Sequence, residues 1–475
     1  MQLFQSSFTN QRIPFVAVLA IMQAMKRSVV ILLLVMAAAG IGSTALYFSR
    51  PKASPAQTLY QDLIPRWQAT RFQEGSSKGD AAAQAVFAGA SHWPSLQQQL
   101  RRIDDAWPAE QPVREATEAA NQSATAAGLP YFLDVQPIRE RPILLTYSVV
   151  KRTGWHAGAT AITALRVRRL DSLNIELAML GETQRGQPRV LLDRIEANLS
   201  TELQRMYKPA KPSDTSVDKL TLDDAALRKL RAHLESQIGA ATLSAAVAKL
   251  TAREALLESM RSRFHAGSVQ LARPDGFVLG EAWVQSMEPY TQLGRPGGPL
   301  MLDSDLRQVA RTDEELRTGQ LADALHKAVE VIAAATDVHE IRHAIDVDPP
   351  AAPAQLQGFF SQRDERFPRM AGLELRAYLS ELSYGALPPC VTIAKLLRSV
   401  YGESARRTPH FYASYVITRL LAGKPLDSRA EPPTDAVALL ELLCSTPEPT
   451  LRRQSTELWQ TLYGDVLVPP RQDAN

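Results

Sequence analysis

Five consecutive residues, His339-Glu340-Ile341-Arg342-His343, carry the most specific chemistry in this chain. On a helix, side chains four positions apart share one face with Cβ atoms about 5–6 Å apart. His339 and His343 can therefore grip one zinc ion between their imidazoles. Glu340, beside the first histidine, can reach a water on that ion and take its proton. The chain holds only eight histidines. His92, His156, His233, His265 and His326 show no comparable spacing and read as structural or surface residues.

A catalytic zinc needs a third protein ligand and one open position. The segment Gly372-Leu373-Glu374-Leu375-Arg376-Ala377-Tyr378-Leu379-Ser380-Glu381-Leu382 offers two carboxylates seven residues apart, hence on one helical face. Glu374 is preferred, because Ala377 one turn later leaves room for two helices to approach. Glu381 stands as an alternative ligand or as a group that orients one. Asp346 lies seven residues after His339. It either orients a ligand histidine from behind or caps the end of the helix.

The five-residue pattern resembles the zinc motif of the zincin superfamily of metallopeptidases. In metzincins the second histidine is followed by x-x-Gly-x-x-His or Asp, but those offsets hold Asp346 and Pro349 here, so that subclass is excluded. Glu374-x-x-Ala377 resembles the Glu-x-x-Ala-Asp helix of membrane-associated gluzincins, with Tyr378 where the aspartate would stand. The resemblance covers about residues 320–385. It implies zinc as cofactor, a peptide or protein substrate, and His339, His343 and Glu374 as ligands. Glu340 would be the general base that hands its proton to the leaving amine. An oxyanion donor would come from further along the chain, with His410 and Tyr412 as first candidates and Tyr384, Tyr401 and Tyr415 behind them. Two other readings stand beside this one. One is a non-enzymatic envelope assembly or binding protein, and the other is a zinc amidase acting on cell wall.

The elements that must position these residues read as α+β and predominantly α-helical. Leu321, Leu325, Val329 and Ile332 form the stripe of a helix leading to the motif. Thr336 and Asp337 are expected to cap a second helix that carries it, since Asp337 stands three residues before Glu340. Residues 311–475 read as a helical, metallopeptidase-like region. The stretch from Asp346 to Met370 is long enough to reverse the chain and line a cleft.

Upstream, residues 57–210 read as a helical part followed by a small sheet. Leu59, Leu63 and Trp67, and then Leu96, Leu100 and Ile103, recur at helical spacing. Trp93 and Trp107 stand beside prolines at expected helix boundaries. The runs PILLTYSVV, ATAITALRVRRL and NIELAMLGE within residues 131–192 supply strands, two of them joined by a turn at Asp171–Asn174. Arg166, Arg168 and Arg169 are expected to keep their heads in solvent. KPAKPSDTS at 208–216 marks a boundary. Residues 217–310 read as two helices around Gly239, a hairpin turning at Pro274-Asp275-Gly276, and a flexible loop over 289–300.

The first 50 residues hold an N-terminal extension and an anchor. Val29 to Phe48 runs without a charge and is long enough to span a bilayer. Met25-Lys26-Arg27 followed by that run is similar to the start of a signal anchor, with the preceding residues as an upstream extension. This predicts a single-pass protein whose bulk is exported, at a bacterial inner membrane facing the periplasm. Apolar residues make up 45% of the 475, as in globular proteins, and the net charge of +3 gives no reason to expect nucleic acid. Cys390 and Cys444 are too few for a zinc knuckle; they form one disulfide or remain two buried thiols.

Overall fold

The computed structural model describes residues 53–74, 80–138, 141–170, 180–184, 186–207, 217–266, 301–346, 366–401, 408–426 and 436–473, with isolated positions between them. The chain divides into Met1–Leu59 and Tyr60–Asn475. The run Val29 to Phe48, the boundary at 208–216, the turn at Asp171–Asn174 and most of the expected hairpin lie outside the described residues. Among those described, no helix is long and apolar enough to cross a membrane.

Apolar spacing builds the first helices. In α1 (Ile64–Glu74), Ile64 and Trp67 are buried, whereas Leu63 is only partly so. α2 (Ala81–Gly89) starts at Asp80, whose side chain accepts from the Ala83 N–H at 2.7 Å. α3 (Pro94–Ala106) runs from Trp93 to Trp107, with Pro94 in its first turn, and buries Leu96, Leu100 and Ile103. α4 (Glu110–Ala126) follows. Five strands come next: β1 (Tyr131–Ile138), β2 (Arg141–Ala157), β3 (Thr160–Arg169), β4 (Gly181–Gln184) and β5 (Gln187–Leu191). They order as β1-β2-β3-β5-β4, antiparallel except for the β3–β5 pair. Of NIELAMLGE, only the end is described, where β4 begins.

Helices complete the chain. α5 (Leu192–Tyr207) leads to α6 (Val217–Ile238) and α7 (Ala240–Ala266), which break at Gly239, where φ is 97°. The expected flexible loop at 289–300 contains a helical turn, Glu288–Thr291, and a ladder pairing Gly294–Arg295 (β6) with Gly298–Pro299 (β7). Then come α8 (Asp303–Arg317), α9 (Gly319–Ile345), α10 (Arg366–Tyr384), α11 (Pro389–Tyr401), α12 (Pro409–Leu421), α13 (Ala436–Ser445) and α14 (Glu448–Tyr463). A last short strand, β8 (Arg471–Gln472), pairs with β2. Cys390 and Cys444 are joined as a disulfide, tying α11 to α13. Among the described residues the fold is thus mostly helical, with one six-stranded sheet and the separate β6–β7 ladder. One core cluster runs from Val190 through α5, α6 and α7 to α9 and Val391, so the three regions expected from sequence share a core.

The motif helix α9 departs from expectation. It runs unbroken from Gly319, and Asp337 is not a cap but an interior, buried residue. The reason lies on β3. Alternate residues Ile162, Ala164 and Arg166 face α9, where Ile162 and Ala164 pack on Ile341 and Ala344. Arg166 is buried rather than solvated: it donates to Asp337 Oδ2 from Nε at 3.1 Å and Nη2 at 2.6 Å, and to Glu330 Oε2 from Nη1 at 2.5 Å. Arg168 is likewise taken up by Glu196, with Nη1 2.9 Å from Oε2. The Arg169 N–H bonds to Asp193 at 3.3 Å. An inward carboxylate in mid-helix is tolerable only because the sheet supplies its counter-charge.

Arg166→Ala should therefore cost about 3–5 kcal/mol, the usual penalty for stranding one partner of a buried pair. Urea unfolding measures it, with Arg166→Met/Asp337→Leu recovering most of the loss. A single variant as stable as wild type would show that the pair does not fix α9.

Candidate metal centre

The face of α9 turned away from the sheet meets α10. His339 and His343 stack edge to face with ring centroids 4.8 Å apart. Their Nε2 atoms are 3.2 Å apart. Glu374, from the third turn of α10, places Oε2 3.4 Å from His339 Nε2 and Oε1 3.5 Å from His343 Nε2. These three residues form the one cluster among those described whose donor atoms converge on a single point. Ligands held at about 2.0–2.1 Å on a tetrahedral zinc lie about 3.3 Å from one another. The observed separations bracket that value, and Glu374 Oε2 is buried without a well-formed hydrogen bond. Two imidazoles, a carboxylate and this spacing fit zinc, so His339, His343 and Glu374 could hold the ion.

Glu381 supplies the layer behind. Its Oε2 contacts His339 Nδ1 at 3.2 Å, the ring atom turned away from the cluster. Thr392 on α11 donates to Glu381 Oε1 at 3.1 Å, and Lys395 Nζ stands 3.7 Å from Oε2. Such a carboxylate fixes tautomer and ring orientation for a metal-bound histidine. Asp346 has a different partner. It ends α9 as the C-cap and receives the Arg376 guanidinium, with Nε at 2.7 Å and Nη2 at 3.1 Å.

Buried charge sets the protonation of the site. Burial would lower the His339 pKa, but the neighbouring carboxylates of Glu374 and Glu381 prevail and hold it at about 9. Burial pushes Glu374 upward, and the imidazoles of His339, His343 and His410 outweigh it, keeping the carboxylate well below its usual range. Glu381, buried as well, is brought down to about 2 by Lys395, His339 and Thr392. Burial and the surrounding carboxylates push the Tyr378 hydroxyl well up. The site thus keeps its carboxylates ionised for a cation, and the His339 proton is what a divalent metal would displace.

Glu340 faces the sheet edge. The Thr183 hydroxyl on β4 lies 2.9 Å from Glu340 Oε2 and 2.8 Å from its backbone carbonyl. At Gly181 a Cβ would stand 2.8 Å from both Glu340 Cγ and Thr336 Cγ2, so only glycine lets β4 lie this close to α9. Of the expected oxyanion donors, His410 reaches the site: its Nδ1 is 3.0 Å from Glu374 Oε2 and 3.1 Å from the Tyr378 hydroxyl. Tyr412 instead packs on Phe411, with ring centroids 5.2 Å apart. Tyr415 is buried and Tyr384 donates to the Leu467 carbonyl at 3.0 Å. The Tyr401 side chain lies outside the described residues.

Sequence reasoning missed Thr183, Gly181, Thr392 and Lys395, which have no spacing relation to the motif. Tyr378 carried a usable signal, standing one turn after Glu374 on the same face. Its ring packs 4.7 Å from that of His339.

A buried cluster holds β4 in place. Arg189 on β5 pairs with Asp134 at 2.9 Å and Glu182 at 3.0 Å. Gln136 Nε2 donates to both carboxylates, at 2.7 and 2.8 Å. One guanidinium cannot fully stabilise two buried anions. Burial opposes the Asp134 charge but Arg189 prevails, so its pKa is lowered. Burial and the neighbouring Asp134 raise Glu182 from 4.5 to about 7 despite Arg189. No protein-family model, curated protein or solved structure matches the chain.

Between pH 4.5 and about 7 the folded chain holds a proton on Glu182 that the unfolded chain has released. Stability should therefore fall as pH rises through that window. Asp134 acts in the opposite sense, its contribution being lost only as pH falls below its unfolded value of 3.8. Glu182→Gln should flatten the decline in melting temperature across the window; an unchanged slope would assign it to another group.

Proposed function

We propose that this chain is a zinc-dependent metallopeptidase of gluzincin type, anchored in a membrane by Val29–Phe48, with its bulk exported to an oxidising compartment such as the bacterial periplasm. The observation that carries the reading is the triangle of His339 Nε2, His343 Nε2 and the Glu374 carboxylate, with sides of 3.2, 3.4 and 3.5 Å. The Cys390–Cys444 disulfide supports export, because such bonds persist outside reducing cytosol.

Bound by these residues, zinc would polarise a substrate carbonyl and acidify a water. Glu340 takes the proton from the attacking water at its carboxylate and delivers it to the leaving amine. Thr183, bonded to Oε2, holds that carboxylate in one rotamer. Glu381 holds the His339 ring through Nδ1. Substrate orientation falls to β4. It is the last strand of the sheet, with no strand on its outer side among the described residues, and it runs beside Glu340. An extended peptide can bond along such an edge and bring its carbonyl to the site.

Zinc content and peptide hydrolysis by the purified protein test this reading. Glu340→Gln should keep near-stoichiometric zinc while lowering hydrolysis by at least about 10²–10⁴-fold. Full activity in that variant, or a wild-type protein that takes up no zinc, defeats the assignment. Glu381→Gln should weaken zinc affinity by about 10–100-fold, measured by competition with a chromogenic chelator. Undiminished affinity would remove Glu381 from its supporting role.

A further inference from the structure

β4 has two faces, and only one of them meets the motif helix. Side chains alternate along a strand, so Gly181 and Thr183 turn to α9 while Glu182 turns away. On the α9 side, the Thr183 hydroxyl lies 2.9 Å from Glu340 Oε2 and 2.8 Å from its backbone carbonyl. On the other side, Glu182 stands opposite Arg189 in the β4–β5 ladder, with the guanidinium 3.0 Å from Oε1. The residue that touches the general base and the residue that completes the buried cluster are thus neighbours in the chain.

That cluster is one charge from balance. Arg189 is its cation, Asp134 of β1 lies 2.9 Å away, and Gln136 Nε2 donates to both carboxylates. Tyr147 of β2 also faces it, with Arg169 of β3 across the ladder. Burial and the two carboxylates push the Tyr147 hydroxyl well up, so it stays neutral. On α9, Glu340 faces the strand. When Glu182 carries a proton it donates to Asp134, leaving one anion against one guanidinium. When it is ionised, two buried anions share that guanidinium, and the excess charge favours any movement that admits water.

β4 is the element free to make that movement. Arg189 sits on β5, held between β3 and β4. Asp134 sits on β1, which Asn121 of α4 ties down through two hydrogen bonds to the Leu133 backbone, both at 2.8 Å. β4 has four residues and pairs only with β5 among the described residues. A shift of β4 carries Thr183 away from Glu340, and a misplacement of about 1 Å at a reacting group can cost about 10²-fold in rate.

Resting on the metallopeptidase reading of this site, we propose that Glu182 is a positioning residue for the reaction: paired with Arg189 and Asp134 behind β4, it holds Thr183 against the Glu340 carboxylate and so places the general base. The uncharged side chain keeps β4 seated, and the charged one loosens it. The chain is therefore most active on the acid side of neutrality, where Glu182 keeps its proton.

Peptide hydrolysis by the zinc-loaded full-length chain tests this. As pH rises from about 6 to about 8.5, kcat/KM should fall by about tenfold or more while zinc content stays constant. Glu182→Gln, uncharged throughout and still able to donate to Asp134, should lose that decline. Hydrogen exchange gives a readout independent of catalysis. In wild type the β4–β5 ladder, including the Leu191 N–H that donates to the Leu180 carbonyl, should lose protection over the same range while the β1–β2 ladder keeps it. This measurement needs no variant and stands even where Glu182→Gln fails to fold. A decline that persists in Glu182→Gln overturns the proposal, and so does zinc lost in step with activity. Protection lost equally across the sheet would mark a merely structural role and overturn it as well. A wild-type chain that binds no zinc at any pH sinks the parent reading, an outcome distinct from all of these.

Discussion

Buried charge must be paired, and α9 carries more of it than any single neighbour could satisfy. Asp337, His339, Glu340, Arg342 and the capping Asp346 are all buried within ten residues. Their partners come from four places: Arg166 on β3, Thr183 on β4, Glu381 and Arg376 on α10, and the Val468 carbonyl in the C-terminal tail at 2.7 Å. An unpaired member would cost several kcal/mol. The sheet, the second site helix and the tail are therefore all positioned by one helix. Arg342 and Arg376 add to this by flanking Trp459 of α14, at 5.0 and 4.4 Å from its ring.

The support for the His339–His343–Glu374 cluster runs outward in the same way. His339 leans on Glu381, and Glu381 leans on Thr392 and Lys395 of α11. α11 begins beside Cys390, which the disulfide ties to α13. A covalent crosslink thus sits three contacts from the imidazole. Precise ligand placement needs such a shell, because loosely held ligands lose metal affinity.

Tyr378 shows how α10 serves the cluster with more than its carboxylates. It stands one turn after Glu374 on the same helical face. The carboxylate that holds His339 from behind comes one turn further on, at Glu381, and between the two carboxylates stands an aromatic ring. That ring packs on His339 and offers its hydroxyl to His410. One side chain thereby connects the cluster to α12, a helix with no sequence relation to the motif.

The sequence by itself determined the helical character of both site helices, the pairing of His339 with His343, and Glu374 with Glu381 on a shared face. Helical periodicity is local, so spacing alone encodes it. Helix boundaries at Trp93, Trp107 and Gly239 were legible for the same reason. Only the tertiary structure decided that Asp337 lies inside α9, that Arg166 is buried, that Asp346 serves Arg376, and that Thr183 and Gly181 lie against Glu340. Those outcomes depend on which charges and strand edges meet across 30 residues for Asp346 and Arg376 and across more than 150 for the others. Asp337 at a helix start and Asp337 in mid-helix look alike in sequence. The buried guanidinium 171 positions away makes the second one stable.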